Sequence, residues 1–130
     1  MNLNVKDPSA DQIRDFHRDG FLIITDVIDT ATVASLNDHL EDVLRGRYDR
    51  GTPPDKSPEI IREDNHAPLG FLGGGGKNSK RAKVLQVINA NKSDSLFRSL
   101  VTDEMLGRVV AKLAGWKGGT RLAQDQVWAK

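Results

Sequence analysis

An α+β fold is what the chain predicts, on three observations. Capping residues stand in front of four helical segments, and short apolar runs of strand type follow turn residues. The two kinds of segment are interleaved in the order α, β, α, loop, β, α, α before a last extended stretch. At 130 residues the chain suits one small domain, able to bury about two thirds of its unfolded surface.

Ser9-Ala10-Asp11-Gln12 has the form of a capping box, Ile13 and Phe16 lie one turn apart, and Gly20 is placed to end the helix. The first helix therefore runs from about Ala10 to Asp19. Phe21-Leu22-Ile23-Ile24, apolar and too short for a helix, is predicted as a buried strand. Asp29 or Thr30 caps a second helix, in which Val33, Leu36, Leu40, Val43 and Leu44 form an apolar stripe opposite Asp38, Glu41, Asp42 and Arg45. Residues 48–83 then hold ten of the seventeen Gly and Pro residues, including Pro53-Pro54 and the run Gly73 to Gly76. They form a long loop, placed over the mouth of a site or free in solvent.

Val84 to Asn89 is a second strand. Ser93 or Asp94 caps a short helix carrying Leu96, Phe97 and Leu100, and Thr102 or Asp103 starts another, with Leu106, Val109, Val110 and Leu113 apolar and Gly115 at its end. From Thr120 to Lys130 the chain is extended, with Leu122, Gln124, Gln126, Trp128 and Lys130 on one face. A chain that stops inside a strand, with no turn or polar tail, is expected to be a truncated piece; a terminal strand docked in a sheet is the alternative.

Nineteen Lys and Arg against eighteen Asp and Glu leave a net charge of +1, which by itself directs the chain to neither nucleic acid nor an anionic membrane. The absence of cysteine closes off disulfides, thiolate metal sites and cysteine nucleophiles, and is compatible with a reducing cytoplasm. Met1 to Asp11 lacks the apolar stretch of a signal peptide, and no apolar run approaches the ~18 residues of a membrane helix. The expectation is a soluble cytoplasmic protein with no nucleic-acid or membrane partner.

Three segments carry a family resemblance. Gln12-Ile13 to Phe16 is followed by Asp19-Gly20-Phe21-Leu22-Ile23-Ile24; Val84 to Asn89 leads through Leu96-Phe97 to a helix ending Leu113-Ala114-Gly115-Trp116; and Arg121 to Lys130 closes the chain. In this order and spacing they resemble the N-terminal part of the phytanoyl-CoA dioxygenase family of non-haem iron, 2-oxoglutarate-dependent oxygenases. The resemblance implies a double-stranded β-helix of jelly-roll or cupin type, here incomplete, with residues 1–130 forming the N-terminal part of a single domain. It implies Fe(II) and 2-oxoglutarate as cofactors, and hydroxylation of a small organic substrate. In the family the iron is held by an H-x-D pair and a distant His, and H-x-D comes shortly after the segment similar to Gln126 to Lys130. The chain ends before that point, so it is expected to carry no iron ligand and no catalytic residue, and to be inactive alone.

For the co-substrate the resemblance points to Gln126, four residues before Lys130, and less directly to Gln86 on the earlier strand. The alternative for both amides is that they satisfy backbone groups at a strand edge. A literal H-x-D at His17-Arg18-Asp19 falls at a helix end, where side chains two apart point about 200° from one another and cannot share a metal. His39, between Leu36 and Leu40, is a boundary residue of the second helix, and His66 a loop residue, solvated or near a substrate. Gly73 to Gly76 with Lys77 fails as a phosphate loop, because Phe71 and Asn78 occupy the places that require Gly and Ser or Thr. Lys77, Lys80, Arg81 and Lys83 form the basic cluster of the chain, open to solvent, substrate or nucleic acid, with no aromatic residues among them for base stacking. A non-enzymatic binding module built on this basic, Gly-rich loop is the competing function.

Overall fold

The computed structural model describes residues 3–58 and 85–129. They form a small α+β structure with four α-helices, a 3₁₀ turn and one two-stranded antiparallel sheet. Helix α1 (Ala10–Asp19) begins at a reciprocal cap: Gln12 N donates to Ser9 Oγ at 3.2 Å and Ser9 N donates to Gln12 Oε1 at 2.9 Å. It ends at Gly20, whose φ of 80° lies in the left-handed region that a side chain would strain. Helix α2 (Thr30–Leu44) is capped by Asp29, which accepts from Thr32 N at 2.6 Å. Its last turn is the deepest part, with Val43 and Leu44 buried, Leu36 and Leu40 packed at the margin, and Val33 left exposed.

Strand β1 (Leu85–Ile88) pairs antiparallel with β2 (Gln126–Ala129), placing Leu85 opposite Ala129, Gln86 opposite Trp128, Val87 opposite Val127 and Ile88 opposite Gln126. Side chains alternate across the sheet, so Leu85, Val87, Val127 and Ala129 turn inward to Val43, Leu44, Ala90 and Phe97 and make the first core. Phe97 comes from α3 (Ser95–Val101), which follows the 3₁₀ turn Ala90–Lys92. Helix α4 (Glu104–Ala114) is capped by Asp103 and stopped by Gly115. Its Val109 and Leu113 join Val5, with Ile13, Phe16, Leu22 and Met105 at the margin, in a second core beneath α1. Asp7 fastens the N-terminal segment over α4, accepting from Lys112 Nζ at 2.6 Å and Arg108 Nε at 3.2 Å.

Two expectations are corrected. Phe21 to Ile24 is not a strand but an unpaired connection; Phe21 is 62% and Ile23 75% exposed, and only Leu22 packs inward. A strand needs a partner for its backbone groups, and among the described residues none lies alongside this run. The terminal extended stretch is shorter than expected, because regular pairing begins only at Gln126. Before it, Thr120 donates from its hydroxyl to the carbonyl of Gly107 at 3.1 Å, which holds the connection against α4. A Cβ at Gly107 would come within 2.8 Å of that hydroxyl, so glycine inside this helix permits the approach.

The start of the long loop is anchored rather than free. Asp55 N donates to the Ile88 carbonyl at 3.0 Å, Ile88 N to the Lys56 carbonyl at 2.8 Å, and Arg50 N to the Ser93 carbonyl at 3.2 Å. His66, Gly73 to Gly76 and the cluster Lys77, Lys80, Arg81 and Lys83 lie outside the described residues, as does Lys130. Among the described residues no helix is long and apolar enough to cross a membrane.

These burials set the expected response to substitution. Leu44→Ala should cost about 2–5 kcal/mol of unfolding free energy, as a buried Leu truncation does. Ile23→Thr should stay within about 0.5 kcal/mol, since its side chain is already in water. Urea denaturation of the two variants tests the correction, and a loss at Ile23 as large as at Leu44 would restore a buried strand there.

Candidate functional site

The outward face of the sheet carries Gln86, Ile88, Gln126 and Trp128. Gln86 pairs directly with Trp128, and Gln126 lies diagonal to it, within reach of a long side chain. Gln86 Nε2 donates to Gln126 Oε1 at 3.1 Å, joining residues 40 positions apart, and Trp128 Nε1 donates to the same oxygen at 3.2 Å. Both glutamines singled out in the sequence are thus brought together, beside an indole that is 60% exposed. Gln124 falls before the paired segment and does not join them.

A polar knot below this face holds the two strands in place. Asn89 N donates to the Asp125 carbonyl at 2.9 Å, and Asp125 N donates back to Asn89 Oδ1 at 3.2 Å. Asn91 donates through both its side-chain amide and, at 3.4 Å, its main-chain N to Asp125 Oδ1. Asp125 Oδ2 is buried with no hydrogen-bond partner. Asn89 has a φ of 58°, a left-handed conformation that Asn tolerates better than most residues, and Asn89 Nδ2 donates to Asp55 Oδ2 at 2.6 Å. The Lys92 ammonium, first, and this amide, second, hold the Asp55 carboxyl below its ordinary value.

A second cluster joins α2, α3 and the loop between α2 and β1. Asp94 caps α3 with Oδ1, accepting from Leu96 N at 2.8 Å and Phe97 N at 2.9 Å, while Oδ2 lies 2.6 Å from His39 Nδ1. The Asp94 side chain is 4% exposed. Asp49 accepts from Ser95 N at 3.0 Å and from the Ser95 hydroxyl. That hydroxyl, followed by the Ser95 amide, His39 and Arg50, lowers the Asp49 carboxyl below its ordinary value.

His39, Asp49 and Asp94 bring a possible ligand atom each within 4.8 Å of one another. They do not fit the iron centre implied by the resemblance, which takes two histidines and one carboxylate with open positions. Here there is one histidine, and the carboxylate oxygens already accept from the first amides of α3 and from His39. The cluster fastens the start of a helix. His17 and Asp19 stand at the end of α1, where Asp19 accepts from Arg18 Nε and Nη2, each at 2.7 Å, which lowers its carboxyl.

His39 was readable in the sequence only as a boundary histidine, because its partner lies 55 positions away. The available signal was in Asp94: a capping carboxylate uses one oxygen for the helix and leaves the other for a neighbour. Asp125 had no comparable signal beyond standing between Gln124 and Gln126. A groove of about 660 Å³ runs between α4 and residues 115–122, past Arg108, Lys112, Trp116 and Leu122, and contains none of Gln86, Gln126, His17 or His39. Comparison with family models, curated proteins and solved structures finds no match to this chain.

The lowered carboxyls fix the sign of the response to acid. A carboxyl whose folded value lies below its ordinary 3.8 adds stability in full above that value, and this is lost as the pH falls through the folded value. Stability should therefore be level near neutrality and fall below about pH 4. In Asp49→Asn the acid loss should be smaller and the stability at neutral pH lower. Urea unfolding across a pH series reads both, and an unchanged acid slope in Asp49→Asn would remove Asp49 from the account.

Proposed function

We propose that the chain is the N-terminal part of an Fe(II)- and 2-oxoglutarate-dependent dioxygenase of the phytanoyl-CoA dioxygenase family, hydroxylating a small organic substrate. The observation that carries the reading is the meeting of Gln86 and Gln126 on one sheet face. The resemblance points to Gln126, and less directly to Gln86, as co-substrate contacts, and two residues 40 positions apart can share a ligand only if the fold brings them together. Their amides offer N–H donors and C=O acceptors, suited to the carboxylate and keto oxygens of 2-oxoglutarate.

In this reading β1 and β2 belong to a double-stranded β-helix, with Gln86, Gln126 and Trp128 turned to its interior. Gln126 and Gln86 would hold 2-oxoglutarate, and iron together with that co-substrate would supply the activation of dioxygen, with succinate and carbon dioxide as the co-products. The contribution of this chain is to bind and orient the co-substrate through amide hydrogens. Iron ligation belongs to an H-x-D pair and a later His, not to His17, His39, Asp49 or Asp94. The setting is a reducing cytoplasm, with which a chain free of cysteine is compatible.

Titration of ¹⁵N-labelled protein with 2-oxoglutarate tests the reading. The side-chain amide resonances of Gln86 and Gln126 should move together and saturate, and Gln126→Leu should abolish the response. No movement of either resonance in folded protein would overturn the proposal. With Fe(II), 2-oxoglutarate and dioxygen, the isolated chain should form no succinate above the blank; measurable succinate would contradict the placing of the iron ligands elsewhere.

A further inference from the structure

The amide of Gln126 is held in one orientation. Its oxygen takes two donors, Gln86 Nε2–H at 3.1 Å and Trp128 Nε1–H at 3.2 Å, which use its two lone pairs. The donors are not equivalent. A glutamine partner can turn its own amide over and offer oxygen instead of nitrogen, so two amides alone leave either arrangement open. An indole is a donor only, and a turned Gln126 would set NH₂ against N–H. Trp128 therefore decides that the oxygen end of Gln126 faces Gln86 and the indole. The Gln126 NH₂ group has no partner among the described residues and stands beside the exposed indole ring.

We propose that Trp128 is the positioning residue of this face, holding the Gln126 N–H pair outward for a carboxylate or keto oxygen of 2-oxoglutarate. The choice of ligand rests on the function proposed above; the orientation of the amide does not. Trp128 itself need not touch the co-substrate. Its nitrogen acts through Gln126, and its ring forms the wall beside the donor pair.

The chain supplies an internal control. Trp116 is 58% exposed against 60% for Trp128, yet among the described residues no hydrogen bond engages its indole nitrogen. Indole N–H exchange in the ligand-free protein should be roughly fivefold slower at Trp128 than at Trp116, the protection of one modest hydrogen bond. Gln126→Leu should erase the difference. Trp128→Phe keeps an aromatic ring, though a smaller one, and removes the donor, so it should leave the unfolding midpoint in place and weaken 2-oxoglutarate binding by roughly fivefold, while Trp116→Phe leaves binding unchanged.

The outcomes separate the two readings. Equal exchange at Trp128 and Trp116 overturns the orienting role and leaves the proposed function standing. Slow exchange at Trp128 in a protein that does not bind 2-oxoglutarate overturns the proposed function and, with it, the ligand assigned here. Unchanged 2-oxoglutarate affinity in Trp128→Phe overturns the positioning role directly.

Discussion

Asp125 takes the side-chain and main-chain amides of Asn91 on one oxygen, while its own main chain exchanges bonds with Asn89 through both its N–H and its carbonyl. That knot sits where β1 turns away and β2 begins, and it sets the register of the sheet. Strand periodicity makes the register decisive: a slip of one residue would turn Gln126 and Trp128 into the core and bring Val127 and Ala129 out. The hydrophobic inner face and the amide-bearing outer face therefore depend on the same few hydrogen bonds. A two-stranded sheet is marginal alone, which is why the knot and the packing of Val87 on Val43 and Phe97 are both needed.

A comparable economy appears at α3. A helix of seven residues is too short to be stable by itself, and its first amides have no partners within it. Carboxylates supply them: Asp49 for Ser95, Asp94 for Leu96 and Phe97. Negative charge at this end also suits the direction of the peptide dipoles. The remaining oxygen of Asp94 meets His39 and so ties α2 to α3, with Phe97 buried in the same core as Val43 and Leu44. Carboxylates that resemble a metal site by composition are consumed in building the helix end.

The local punctuation of the chain was legible in its sequence. The cap at Ser9 and Gln12, the stop at Gly20, and the caps at Asp29, Asp94 and Asp103 each depend on residues within four positions of one another. What escaped was non-local. Phe21 to Ile24 has the composition of a buried strand, but burial requires a neighbour that composition cannot supply, and Ile23 ends in solvent. For the candidate site, alternation marked Gln126 as a face residue of a strand, yet its joining with Gln86 and Trp128 is a product of register. The His39–Asp94 contact and the Asp125 knot, spanning 55 and 34 positions, left no periodic trace.

Among the described residues the two cores have no residue in common. One gathers α2, α3 and the sheet; the other gathers α1, α4 and the segment around Val5. The layer of α1 and α4 is strapped by Asp7 across its surface, and its apolar contacts are separate from those of Val43 and Val87. The amide face of the sheet belongs to the layer of α2 and α3, and the Thr120 hydroxyl on the Gly107 carbonyl is what ties the approach to β2 to the other layer.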